Sequence, residues 1–169
     1  MIHLTREALV KKLVCLFLCA VSFLAADEYL EKIIVPTKYY ATLVKYCRQY
    51  DVPIYYAARL ISYESGWQES FINKNKDGSK DYSLCQLNSA CLSDFRRWHN
   101  NGKKFDPMFY DDNLRIGVAH MKFLYERNGH SWWAMVACYN MGEMAFREWC
   151  RGKRPLPNGT QKELNFVFQ

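Results

Sequence analysis

A helix-patterned run that ends in a carboxylate, followed at once by a polar, turn-rich stretch, limits this chain more than any other feature. Ile54, Ala57, Ala58 and Ile61 fall on one helical face with Leu60 beside them, which predicts a helix over 53–64. The run closes on Glu64-Ser65-Gly66, and glycine commonly terminates a helix. Residues 71–80 are then polar, and Asp77-Gly78 marks a tight turn. A short hairpin is predicted there, the only β structure expected. Leu84 to Asn88 leads the chain back past the helix end, so the later segments form walls and floor around Glu64.

The rest reads as helices. Tyr40, Leu43, Val44 and Cys47 predict a helix over 37–50 with Thr37 as its cap, and Asp51-Val52-Pro53 breaks and restarts the chain. Leu92, Phe95 and Trp98 predict a short helix over 89–99, followed by a loop over 100–104. Asp111 or Asp112 is expected to cap a long helix reaching about Arg127. Its stripe is Leu114, Val118, Met121 and Tyr125, and Gly117 permits close packing. Ser131 caps another helix, with Trp132, Met135, Val136 and Tyr139 on one side, ending near Gly142. Further helices are expected over 143–150 and 161–169, joined by a Pro/Gly loop. With half of its 169 residues hydrophobic, the chain can bury one core.

Residues 1–26 read differently. Arg6, Lys11 and Lys12 precede a short apolar run that ends Leu24-Ala25-Ala26, the pattern of a secretory signal peptide. The domain is then 27–169, in the periplasm or outside the cell. An uncleaved anchor is the alternative, although the run is short for a span. Removing 1–26 takes three of 23 basic and one of 17 acidic residues, leaving a net charge of +4. That balance favours an anionic polymer or surface. No basic stripe, zinc spacing or Gly-rich phosphate loop is present, so nucleic acid is not an expected partner. Five cysteines remain (Cys47, Cys85, Cys91, Cys138 and Cys150), and they are either buried thiols or supply one or two disulfides.

Three blocks in order carry a resemblance. They are Glu64-Ser65 after the apolar helix, Ser83-Leu84-Cys85-Gln86, and Cys138-Tyr139-Asn140-Met141-Gly142. Between the last two stands Asn113-Leu114-Arg115-Ile116-Gly117. Together they resemble the SLT-type lytic transglycosylases, which share the goose-type lysozyme fold. The resemblance implies a mostly α, lysozyme-like single domain with a small β-hairpin region, without metal or cofactor. Its substrate would be the glycan strand of peptidoglycan. In that family one carboxyl protonates the MurNAc–GlcNAc bond and then deprotonates the sugar's own 6-hydroxyl, giving a 1,6-anhydro product. Carried over, Glu64 is that catalytic group, and Ser65, Ser83, Gln86, Tyr139 and Asn140 are substrate-binding residues. Ser83 stands where the family has Gly, so a backbone less able to take unusual angles is expected. Cys138 and Met141 replace smaller residues and would tighten the floor.

Asp81-Tyr82 with Gln86-Leu87-Asn88-Ser89 also resembles the hairpin of the animal-type lysozymes, which makes Asp81 a second candidate carboxylate. A two-acid hydrolase is therefore one alternative. An inactive wall-binding or assembly protein is another. The small size favours service to an envelope-spanning secretion or motility assembly.

Overall fold

The structure is a computed structural model that describes residues 35–98 and 104–169. The expected secretory segment over 1–26 and all but the end of the loop over 100–104 lie outside the described residues.

The first helix, α1 (Thr37–Tyr50), follows Pro36, which is its N-cap in place of the expected Thr37. Asp51 closes it with a left-handed φ of 54°. Helix α2 (Ile54–Ser65) follows Pro53 and ends at Gly66, whose φ of 57° turns the chain out of the helix just after Glu64. Three short strands come next: β1 (Ile72–Lys74), β2 (Lys80–Tyr82) and β3 (Leu87–Asn88). They form one antiparallel sheet in the order β1-β2-β3. The hairpin about Asp77-Gly78 is therefore extended by a third strand, and β2 lies in the middle. Asp81 faces Asn73 on one side and Asn88 on the other.

Helices α3 (Ser89–Trp98), α4 (Tyr110–Arg127), α5 (Trp132–Met141), α6 (Glu143–Cys150) and α7 (Asn158–Phe168) complete the described chain. Neither Asp111 nor Asp112 caps α4. Phe109 holds that place, and both acids lie in the first turn, where the helix dipole favours them. Each has its own task. Asp111 accepts the Tyr46 hydroxyl (2.6 Å), and Asp112 pairs with Arg115 and the Asp106 N–H. Ser131 caps α5 as expected, accepting the Ala134 N–H at 3.2 Å. The last helix starts three residues earlier than its pattern suggested, at Asn158.

Helix α4 is the spine, with α1 and α5 packed on it. Helix α7 lies across α5 and α2. Leu43, Leu60, Ile61, Leu114, Ile116, Met121 and Met135 are fully buried in one core. The turn over 83–86 rests directly on α4 because Gly117 has no side chain. A Cβ there would lie 2.4 Å from the Cys85 Sγ and 2.7 Å from its Cβ. No disulfide joins any of the five described cysteines.

Candidate active site

Glu64 comes from the last turn of α2. A helix C-terminus is a poor place for a carboxylate, because the helix dipole there is already negative. The side chain is half-buried, and burial is the main reason its carboxyl is pushed up to about 7. A hydrogen-bonding interaction with Glu163 works against that shift, and the negative charge of Asp81 adds to it. Tyr139 and Cys85, in turn, sense the charge of Glu64.

Asp81 lies in the opposite kind of place. Its position in the middle strand puts amides on both flanks, since residues directly across a sheet share a face. Its Oδ1 accepts from Asn88 Nδ2 at 2.7 Å. Its Oδ2 accepts from Asn75 at 2.9 Å and from Asn73 at 3.1 Å. Three N–H donors thus hold one carboxylate.

The floor between them is the turn over 83–86. Asn113, fully buried on α4, accepts the Cys85 N–H at 2.9 Å and donates to the Tyr82 and Pro107 carbonyls. Tyr139 donates its phenol to the Cys85 carbonyl at 2.7 Å. Gln86 folds back on the turn, donating to the Ser83 carbonyl at 2.7 Å and to the Phe71 carbonyl at 3.2 Å. Ser83 and Gln86 take left-handed φ values of 58° and 45°. Ser83 therefore adopts the angle expected to need the family's Gly, a strained conformation held by the bonds around it.

The expected binding residues divide by exposure. Tyr139 and Gln86 are half-buried, and Asn140 is exposed at the end of α5, its Oδ1 accepting the Thr160 hydroxyl at 2.7 Å. Ser65 and Ser83 do not line a surface. Ser65 is buried, donates to the Ile61 carbonyl and accepts the Trp67 N–H, so its hydroxyl finishes the helix. Ser83 is fully buried, and its Oγ has no hydrogen-bond partner. Their expected contact with substrate gives way to a place inside the wall.

Glu163, which no motif marked, joins the acid end of the site. It lies on α7 with no solvent exposure, and neither carboxyl oxygen meets a hydrogen-bond partner of ordinary geometry. Burial pushes its carboxyl up to about 9, and the adjacent charge of Glu64 adds to the rise. The Asn140 amide pulls the other way and is outweighed.

Residues 42–159 match the family model described as the transglycosylase SLT domain. The chain is 28% identical over 99 residues to lysozyme c-1 of Anopheles gambiae, covering 59% of this chain and 63% of that one. It superposes on the 70-kDa soluble lytic transglycosylase solved with bulgecin A, with a TM-score of 0.66 at 19% identity. An inactive mutant of lytic transglycosylase Slt from Pseudomonas aeruginosa gives 0.64 at 18%. Both superpositions take in 78% of this chain but only 23% of the larger proteins, and they establish a shared fold. The family model spans well over half of the chain, with Glu64, the 83–86 turn and the Tyr139-Asn140 pair all inside it. The protein belongs to the transglycosylase SLT domain family.

Proposed function

We propose that the protein is a peptidoglycan lytic transglycosylase in which Glu64 acts as the single acid and base. The observation that carries this reading is the state of Glu64, a half-buried carboxyl at a helix end held up to about 7. A free Glu at about 4.3 is more than ~99% ionised at neutral pH, whereas a value near 7 leaves about half of it as acid. Cleaving a glycosidic bond needs that acid form, because the leaving sugar oxygen must be protonated.

The steps balance without water. Glu64 gives its proton to the oxygen between MurNAc and GlcNAc, and the C1–O bond breaks. Positive charge grows on the MurNAc ring, and the amide-held carboxylate of Asp81 supplies opposite charge. Glu64, now ionised, takes the proton of the 6-hydroxyl as O6 closes on C1. The 1,6-anhydro sugar leaves and Glu64 is again an acid. Tyr139, Gln86 and Asn140 orient the glycan and the turn beneath it. Residues 1–26 direct the chain to the periplasm or beyond, where its partner is the glycan strand or an envelope-spanning assembly that opens it.

One observation favours a second reading. Three amides fix Asp81 in the way a two-carboxylate hydrolase would require, with Asp81 stabilising or attacking C1 and water completing the reaction. Mass spectrometry of muropeptides released from purified sacculi separates the two. Anhydro products, one water lighter and lost with Glu64→Gln, are expected. Reducing-end products that vanish with Asp81→Asn would make the protein a lysozyme-type hydrolase. Binding to sacculi without release would turn the case toward a wall-binding protein.

A further inference from the structure

Glu163 sits where an ionised carboxylate has the least support. It is fully buried, and neither of its oxygens meets a hydrogen-bond partner of ordinary geometry. An ion without donors in such a place is the costliest state open to it, so Glu163 keeps its proton and becomes a hydrogen-bond donor as well as an acceptor. Its position is fixed from both sides. Three residues before it, the Thr160 hydroxyl ties α7 to Asn140 of α5. Three residues after it, the Arg59 guanidinium of α2 clamps the Phe166 carbonyl, with Nε at 2.8 Å. These anchors seat α7 on α2 and α5, and the Glu163 carboxyl interacts there with that of Glu64 at the end of α2.

We propose that Glu163 is a positioning residue for Glu64, its neutral carboxyl donating to the Glu64 carboxylate whenever Glu64 has given up its own proton. This inference rests on the acid and base role of Glu64 argued above and adds a partner to it. A carboxylate that has just protonated a glycan is left half-buried at the negative end of a helix. The Glu163 O–H is then the donor that holds it in place until it takes the proton of the 6-hydroxyl. Among the described residues, the groups that act on the pair include no competing cation. From α2 they are Glu64 and Tyr63, from α5 Asn140 and Tyr139, from the 83–86 turn Cys85, and from β2 the Asp81 charge felt by Glu64. Arg59 is occupied at the Phe166 carbonyl.

Two measurements test this, and the first does not depend on cleavage. A buried carboxyl raised to about 9 holds a proton that the unfolded chain has lost, so stability declines as pH rises from the free-Glu range toward 9. Urea denaturation of the full chain across that range should show Glu163→Gln removing about one proton of linkage near neutral pH. Equal slopes in the two proteins would overturn the proposal, whatever the protein cleaves.

The second is the alkaline limb of the cleavage profile, which reports loss of the acid form of Glu64. Glu163→Gln keeps a neutral N–H donor and should leave the limb in place. Glu163→Leu removes the donor that favours ionised Glu64, and the limb should move to higher pH. A merely structural role would lower the rate without moving the limb, and that result, too, would overturn the proposal. If Glu163→Leu does not fold, the denaturation slopes decide. If nothing is cleaved, the proposed function fails, and the slopes still decide whether Glu163 carries its proton.

Discussion

Glu64 and Asp81 are the same functional group in two opposite settings. Asp81 lies in the middle strand, and each neighbouring strand and the turn offers it an amide N–H. Glu64 lies at the C-terminal end of a helix, half-buried, and the side chain that interacts with it is itself a carboxyl. Donors disperse the charge of an anion, and burial without them returns the proton. The two settings differ in what each carboxyl meets: three amide N–H groups hold Asp81 in place, whereas burial pushes Glu64 up to about 7.

The largest break in that contrast is Glu64→Gln. It leaves the shape and removes the proton, so cleavage of sacculi should fall by about 10²- to 10⁴-fold, the usual worth of a general acid. That is ~3–5 kcal/mol of barrier. Folding should survive, because a neutral amide replaces a carboxyl that burial had already disfavoured as an ion. A variant with near-normal turnover would remove Glu64 from the chemistry.

Asn113→Ala comes next, because it acts on what holds both carboxylates in register. Three hydrogen bonds from one buried side chain tie the 83–86 turn and the end of β2 to α4. At about 1 kcal/mol each, with a buried Cys85 N–H left unpaired, the loss should be about 3–4 kcal/mol. The midpoint of urea denaturation reads it. Asn88→Ala is smaller. It takes the 2.7 Å donor from Asp81 but leaves two others in a partly exposed sheet, so about 1 kcal/mol is expected. A cost as large as that of Asn113→Ala would mean that the amide cradle is a folding element as well as an electrostatic one.

The sequence shows the elements of this contrast better than their surroundings. Helix α1 matches its periodicity end to end, and the Gly66 stop places Glu64 on a helix terminus, because apolar spacing and glycine act locally. Caps are less legible. Pro36 and Phe109 hold places expected for Thr37 and for Asp111 or Asp112, and the acids are claimed instead by Tyr46 of α1 and by Arg115 one turn along α4. The third strand, Leu87–Asn88, is not legible in the sequence because two residues carry no period. The cradle around Asp81 needed the register, which sets Asn73 and Asn88 across from it. Glu163 left a fainter trace. It falls with Thr160, Leu164 and Val167 on the buried stripe of α7, so a charge at a core position was the available sign. Its meaning depended on α2, far away in the chain. Ser65 and Ser83 stand in family blocks, and their burial follows only from tertiary packing.

The smallest expected effect is the sharpest test of the contrast, because it predicts a direction for each of two neighbours. Asp81 raises the Glu64 value through its charge, and Glu163 lowers it through its hydrogen bond. Asp81→Asn removes the charge, so ionised Glu64 is relieved and its value drops. The alkaline limb of cleavage should then move to lower pH, by less than the rise that burial causes. Glu163→Leu should move the same limb upward. Each direction has one physical cause, charge in the first case and a donor in the second. If both variants moved the limb the same way, a general loosening that lets water reach Glu64 would account for both. In that case burial alone would set the acid, and neither neighbour would tune it.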